Sequence, residues 1–365
     1  PIPNRRGNPR RRGPYSIVDE ASRARIVPPT GGPRREYRVS TDTLSSSICS
    51  GMLKDTARIK HELEAYLGPG RVREAVPLAP FTTFQIGGPA DLFFRATSGK
   101  DLVLILGLAR EWAIPTFLLG QGANILVSDA GFRGLVVRSE VGGIAFLEEN
   151  RVRAGSGVRV FPQLIQATVD RGLGGLHHFV GIPSTVGGAL WQNLHFLSPD
   201  RDRTLFIEDS VESAEIFTEE GREAEVGRDY FQFGYDYSIL HDRGDVVLSV
   251  TFRLEPQQKA DMKRVMQENL SWRRARHPDL RRLPSAGSVF KKVEGVGAGR
   301  LIDECGLKGR VVGRAQIFEE HANIIVNLGG ASARDVLDLM ELAQSTVLKE
   351  TGQILTPEIT LVGEF

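Results

Sequence analysis

Cysteine is almost missing from this chain: among 365 residues there are only Cys49 and Cys305. A pair this sparse excludes a disulfide framework and offers no thiolate spacing for zinc. It fits a reducing cytoplasm. Long apolar runs are missing as well. No stretch reaches the roughly 18 residues that a membrane span needs, and no apolar segment follows the basic start as a secretory signal would require. Histidine-based metal ligation finds little support, because His177 and His178 are adjacent and neighbours point to different sides of a regular element. An excess of one charge sign is also lacking, with 46 Lys and Arg against 45 Asp and Glu. The balance is uneven, however. Residues 1–52 hold ten Arg, no Lys and four acids, a local charge of +6, which leaves 36 basic and 41 acidic residues for the rest. A body that is net acidic is not built to grip nucleic acid.

What is present divides readily. Residues 1–52 are rich in Arg, Pro, Gly and Ser and hold no apolar period, so they read as a disordered tail. Its Arg10-Arg11-Arg12 cluster is of a kind that touches anions. The chain starts without Met, and Met52 precedes the first helical pattern, so the functional protein is expected to begin near there. Leu53–Leu67 has helical spacing and ends at Gly68-Pro69-Gly70. Further helices are expected over 98–112, 161–171, 258–276, 298–305 and 333–351. Strands are expected at 116–119, 125–127, 152–154, 211–218, 246–254, 322–327 and 354–362, with a loop and strand at 285–292. This order of mixed strands and helices predicts an α+β fold rather than a continuous βαβ winding.

The most informative segment is Leu119-Gly120-Gln121-Gly122-Ala123-Asn124-Ile125. A strand runs into a loop with little side-chain bulk and two residues free to take positive φ. Converging backbone N–H groups in such a loop hold an anion, most plausibly a diphosphate. Gly181-Ile182-Pro183-Ser184-Thr185-Val186-Gly187-Gly188-Ala189 repeats the theme some 60 residues on. Two small-residue loops suit a ligand with an extended diphosphate.

These segments, together with Thr83–Asp91, Pro284–Lys291, Leu301–Gly309 and His321-Ala322-Asn323, resemble the UDP-N-acetylenolpyruvoylglucosamine reductase (MurB) family. The match runs in order over about residues 75–363. The resemblance implies a two-part FAD-binding region of the vanillyl-alcohol-oxidase-like type, over 53–142 and 143–256, and an α+β substrate domain over 257–365. It implies reduction of the enolpyruvyl ether of UDP-N-acetylglucosamine to UDP-N-acetylmuramate, a step in peptidoglycan synthesis. FAD is the implied cofactor, NADPH the hydride donor and a small UDP-sugar the partner; neither nucleic acid nor membrane is expected at the folded body. No side chain donates hydride, so a cofactor is needed on chemical grounds too. Gly120, Gln121, Gly122, Ala123, Asn124 and Ile125 and Gly181, Ile182, Pro183, Ser184, Thr185 and Gly187 are the implied FAD contacts.

Ser288, in Ala-Gly-Ser-Val-Phe, stands at the family's proton donor. Glu358, in Thr-Pro-Glu-Ile, stands at a site-lining glutamate, and an apolar strand is a costly place for a carboxylate without a task. Arg273 and Arg276 are three apart and share a helix face; with His321 they match groups near the substrate. Asn193 closes the second loop. The chain also departs from the pattern. Phe-Gly-Tyr-Arg-x-Ser becomes Phe233-Gly234-Tyr235-Asp236-Tyr237-Ser238, so an aspartate replaces an arginine that stabilises negative charge. Lys292 replaces an asparagine and is expected to restore some positive charge, and Leu197 stands near a common tyrosine position. Only Glu255 to Gln257 separate a strand from the next helix, which implies the family's loopless branch. Asp236 and Lys292 also motivate an alternative, a related FAD-dependent sugar or alcohol oxidoreductase; a second alternative is a non-catalytic flavin- or UDP-sugar-binding paralogue.

Overall fold

The computed structural model describes residues 55–293 and 295–365. The tail expected at 1–52 lies outside them. The first helix runs Thr56–Leu67: the Asp55 carboxylate accepts the Arg58 amide at its start, and Gly68 ends it with φ 97°. Both ends follow from side-chain capping and from the freedom of glycine to leave the helix.

The first sheet has the strand order Val72–Pro77, Pro89–Ala96, Phe132–Ser139, Thr116–Leu119. Its first pair is antiparallel and the other two are parallel. The helices Thr56–Leu67 and Gly99–Glu111 bury Leu63, Leu102 and Ile105 against one face, over Leu92, Phe94, Leu135 and Val137. On the other face Phe93 and Val136 pack with Val127 and Val362. Those last two belong to a short parallel pair, Ile125–Val127 with Thr360–Val362. The end of the chain thus completes the first lobe.

The second sheet is antiparallel, with the order Glu223–Gly227, Val211–Phe217, Val246–Arg253, Arg151–Gly155, Ile144–Phe146. Helices Ile165–Asp170 and Val186–Gln192 cover it, and Met262 of helix Lys259–Arg274 joins the same core. The third part contains helices Ala298–Glu304 and Ala333–Thr351 and three short strands ending at Ile325–Asn327. Helix Ala333–Thr351 starts with a reciprocal cap between Ser332 and Asp335, an arrangement that contributes about 1 kcal/mol. The Asp129 carboxylate, just past the first glycine loop, accepts the amides of Ala333 (2.8 Å) and Arg334 (3.2 Å). A carboxylate at a helix N-terminus also meets the positive end of the helix dipole. Buried Asn327 donates to Phe84 O at 3.0 Å. These bonds fix the third part against the first lobe. No helix among the described residues is long and apolar enough to cross a membrane.

Three elements differ from expectation. The helix expected over 161–171 is regular only at Ile165–Asp170, and Phe161 is extended (φ −118°, ψ 135°). Pro162 explains this, since the residue before proline is driven out of the α region. The strand expected over 354–362 reduces to Thr360–Val362 plus an isolated bridge at Pro357, because proline has no N–H to give a ladder. Helix Val186–Gln192 was not expected, since two glycines in its first turn argue against helix. Tertiary contacts override them: Val186 and Gly187 donate to Val158 O and Ser156 O, both at 2.8 Å.

Candidate active site

The two glycine loops meet. A Cβ on Gly120 would lie 2.7 Å from Thr185 Oγ1. Gly122 has φ +63°, and a Cβ there would run into the Phe81 carbonyl and stand 2.9 Å from Thr82 Cα. Its own carbonyl accepts from Thr83 N at 2.9 Å. Glycine is therefore required at both positions for close backbone approach. In this loop the Gln121 side-chain oxygen Oε1 is buried without a partner among the described residues. A buried acceptor left empty costs about 1–3 kcal/mol, so it suits a ligand that brings a donor. FAD, with ring N–H and ribityl hydroxyl groups, fits that demand.

The second loop needs a correction. The amides of Ile182, Val186 and Gly187 donate to Phe179 O, Val158 O and Ser156 O, and Gly188 donates to Thr185 Oγ1. An amide already used this way cannot cradle a phosphate, so Gly187 serves close packing against Ser156, 3.3 Å from where its Cβ would be. Gly181 (φ +80°) marks where the loop touches helix Lys259–Arg274: its Cβ would lie 2.9 Å from the Leu270 side chain and 3.4 Å from Arg273 Nε.

The segments that carry Ser288 and Glu358 pair with each other. The segment from Ser288 to Lys291 runs antiparallel to Thr356–Glu358: Glu358 donates to Val289 O at 2.9 Å and Lys291 to Thr356 O at 2.8 Å, with a bridge between Phe290 and Pro357. Ser288 itself bridges Ile324 across the other edge. Asn323 locks this turn, accepting the Phe290 amide at 3.0 Å and donating to the Phe290 carbonyl at 2.8 Å. The first glycine loop joins the same corner, since Asn124 Nδ2 donates to Glu358 O at 3.4 Å and Asn124 O accepts from Thr360. Two hydrogen-bonded steps thus lead from the proposed flavin cradle to Val289, the neighbour of Ser288.

Desolvation pushes the Glu358 carboxyl up to about 8; the charge of Asp236 adds to the rise and Lys291 opposes it. At neutral pH Glu358 is mainly a neutral acid. Asp236 is only 3% exposed, in the left-handed region (φ 53°), and neither carboxylate oxygen has a hydrogen-bond partner among the described residues. His195 Nδ1 lies 3.6 Å from Asp236 Oδ1. The Tyr235 hydroxyl is pushed up to about 12 by desolvation and by the charges of Asp236 and Glu358. Asn193, fully buried at the end of helix Val186–Gln192, donates to Glu208 Oε1 and Gly234 O, both at 3.0 Å. It thereby fixes the loop that carries Asp236.

The predicted substrate residues divide. Arg273 is half-buried, 5.7 Å from the Phe196 ring, and desolvation lowers its guanidinium to about 10. Arg276 is exposed and stacks on Trp272 at 4.7 Å. The shared helix face does not hold, because the helix ends at Arg274 and Arg276 lies beyond it. His321 accepts the Asn323 amide on Nδ1 and packs 5.6 Å from His277. Desolvation lowers both rings, His277 to about 3, so they are neutral groups. Lys292 is exposed, and it is its neighbour Lys291 whose charge reaches Glu358 and His241. The expectation that Lys292 compensates for Asp236 therefore shifts by one residue. Sequence reasoning also missed His195 and Arg201. Arg201 donates to Asn269 at 2.7 Å and stacks near Phe196 and Trp272. Neither lies in a motif, and both meet their partners only through the fold.

Residues 90–227 match the FAD binding domain family, and residues 278–362 match the C-terminal domain of UDP-N-acetylenolpyruvoylglucosamine reductase. The reductase of that name numbered 2 in Symbiobacterium thermophilum is 40% identical over 297 residues, 81% of this chain and 93% of that protein. That of Synechococcus sp. WH7803 is 38% identical, over 80% and 94%. The chain belongs to the UDP-N-acetylenolpyruvoylglucosamine reductase family. The crystal structure of the Thermus caldophilus enzyme superposes with a TM-score of 0.66 at 34% identity, covering 80% of this chain and 99% of that one. The fold is accordingly the α+β arrangement of an FAD-binding region followed by the reductase C-terminal domain, and the protein is an FAD-dependent oxidoreductase of this family.

Proposed function

We propose that this protein reduces the enolpyruvyl ether of UDP-N-acetylglucosamine to UDP-N-acetylmuramate with NADPH as electron source, in cytoplasmic synthesis of peptidoglycan precursors. The observation that carries this reading is the pairing of the Ser288 turn with Glu358 beside the Gly120–Asn124 loop. Gly120, Gln121, Gly122, Asn124, Ser184 and Thr185 are the residues proposed to hold FAD. When bound, FAD supplies the hydride that reaches the β carbon of the enol ether.

The chain's own residues then handle a proton and a charge. Electron density moves onto the carboxylate end of the substrate, and the α carbon needs a proton. Ser288 is proposed to give its hydroxyl proton there and to recover one from solvent. A serine is a weak acid, so its transfer relies on the basicity of the enolate and on placement. Glu358 is neutral below about pH 8. It can therefore donate a hydrogen bond to the developing enolate, which a carboxylate would repel. Lys291 adds positive charge at the same corner. Arg273, half-buried beside Gly181, is proposed to face the substrate diphosphate. Purification with a flavin spectrum, followed by NADPH oxidation with and without the enolpyruvyl UDP-sugar, tests the reading. A colourless protein that does not take up FAD, or a flavin reduced by NADPH and never reoxidised by the UDP-sugar, would refute it.

A further inference from the structure

Guanidinium groups gather without carboxylates around the end of helix Lys259–Arg274. Arg273 lies in its last turn and Arg276 just beyond it. Arg201 reaches them from the hairpin that pairs His195–Leu197 with Thr204–Phe206. None of the three makes an ion pair with an Asp or Glu among the described residues. No acid offsets the desolvation that lowers Arg273, and Arg273 and Arg276 both act to lower His277. Beyond residue 52 the chain holds 41 acids against 36 bases, so composition alone does not produce such a cluster.

Arg201 is held in the cluster by a closed turn. The Ser198 amide donates to Arg203 O and the Arg201 amide to Ser198 O, both at 2.9 Å, while the Ser198 hydroxyl accepts the Arg203 amide at 3.2 Å. Arg201 sits at φ 66°, a left-handed conformation that a residue with a Cβ adopts only under constraint. From there its Nη2 donates to Asn269 Oδ1 at 2.7 Å, and fully buried Asn269 donates in turn to His178 O at 3.0 Å. The Arg201 guanidinium lies 5.5 Å from the Phe196 ring centre and 5.4 Å from that of Trp272, two rings that meet edge-on at 5.6 Å. Arg273 lies 5.7 Å from the same Phe196 ring, and Arg276 lies 4.7 Å from the same Trp272 ring. Asn269 and Arg273 are four apart on one helix and are neighbours on its surface. Arg201, bonded to the first, therefore stands beside the second. Its Nη1 is buried with no acceptor among the described residues, and an unfilled charged donor is costlier than a neutral one. Guanidiniums keep their charge throughout the neutral range and offer paired N–H donors that match phosphate oxygens. Two of them side by side, short of acceptors, call for an anion with several oxygens.

We propose that Arg201 is a ligand of the substrate diphosphate, which it holds together with Arg273 while Phe196 and Trp272 orient the two guanidiniums. This rests on the proposed function, which supplies the diphosphate, and adds to it a residue from a separate hairpin. Asn269 takes only Nη2, so Nη1 remains for a phosphate oxygen.

Calorimetric binding of UDP to the full-length flavin-loaded protein tests the proposal without turnover. Arg201→Met is expected to raise the Kd for UDP about tenfold while leaving that for uridine within about twofold, since uridine has no phosphate. Arg201→Lys keeps the charge and should recover most of the loss. In steady state, Arg201→Met should raise KM for the enolpyruvyl UDP-sugar about tenfold with kcat within about threefold. An affinity for UDP in Arg201→Met within about twofold of wild type overturns the proposal. So does an equal loss for UDP and uridine, which would make Arg201 a structural residue only. Should Arg201→Met fail to fold, Arg201→Gln, neutral but still a hydrogen-bond donor, takes its place. A wild-type protein that binds UDP through Arg201 yet never passes electrons to the enolpyruvyl sugar refutes the proposed function and leaves the diphosphate site standing.

Discussion

The flavin side and the proton-transfer side of this molecule are held in opposite ways. At the Gly120–Asn124 loop the backbone is so close to Thr82 and Thr185 that a methyl group has no place, and position is set by exclusion. At the Asp236–Glu358 corner position is set by charge and by a few hydrogen bonds. Asn193 Oδ1 and both Asp236 oxygens remain without partners there among the described residues. Crowding tolerates almost no substitution, because a close-packed interior resists added volume. An electrostatic corner can be rewritten, provided the charges still balance. Asp236 beside His195, where the resemblance leads one to expect an arginine, is a change of the second sort.

Breaking the crowded side should have the largest effect. Gly122→Ala places a side chain at φ +63° against Phe81 and Thr82. It is expected to cost about 3 kcal/mol and to yield protein with little flavin, measured as the 450 to 280 nm absorbance ratio after FAD reconstitution. Full flavin content in this variant would show that the loop is not the cradle. Next, Ser288→Ala should leave flavin binding and reduction by NADPH intact while slowing reoxidation by the UDP-sugar about 10²–10⁴-fold, as loss of a positioned proton donor does; stopped-flow absorbance separates the two half-reactions.

Glu358→Gln should lower turnover by about 10²-fold, with a stability change of opposite sign. The Glu358 pKa is raised by folding to about 8 from an ordinary 4.5. The native state therefore binds the extra proton, and wild-type stability falls as pH rises from about 4.5 through 8. Glutamine removes that loss. Urea midpoints should match at pH 4.5 and favour the variant increasingly towards pH 8; parallel pH curves would mean that Glu358 is not desolvated. The smallest effect sharpens the charge side. Lys292→Ala should change kcat/KM less than twofold, whereas Lys291→Ala should lower it about tenfold, since only Lys291 reaches Glu358. Equal effects would return the compensating charge to Lys292.

Legibility in the sequence follows the same division. Helix Ala333–Thr351 and the strands Thr116–Leu119 and Ile125–Val127 appear where periodicity and glycine place them, because strong local signals agree there with the tertiary contacts. Helix Val186–Gln192 was hidden, since its glycines oppose helix locally and its support comes from Ser156 and Val158, some 30 residues earlier. Ser288 and Glu358 were visible as motif residues, but their adjacency is a backbone pairing across 70 positions that no spacing reveals. Asp236 was visible only as a departure. Its neighbour His195 gave no signal, because the two are joined by the route of the chain around Asn193 and not by any local pattern.

The pairing of Thr360–Val362 with Ile125–Val127 has a consequence for how the protein is made. The ribosome releases Thr360–Val362 some 230 residues after Ile125–Val127, so the first lobe waits, one edge open, while the intervening residues emerge. Cofactor capture then waits on a strand made long after the loop it supports, and loss of Thr360–Val362 should injure the remote flavin lobe before it harms the domain that carries that strand.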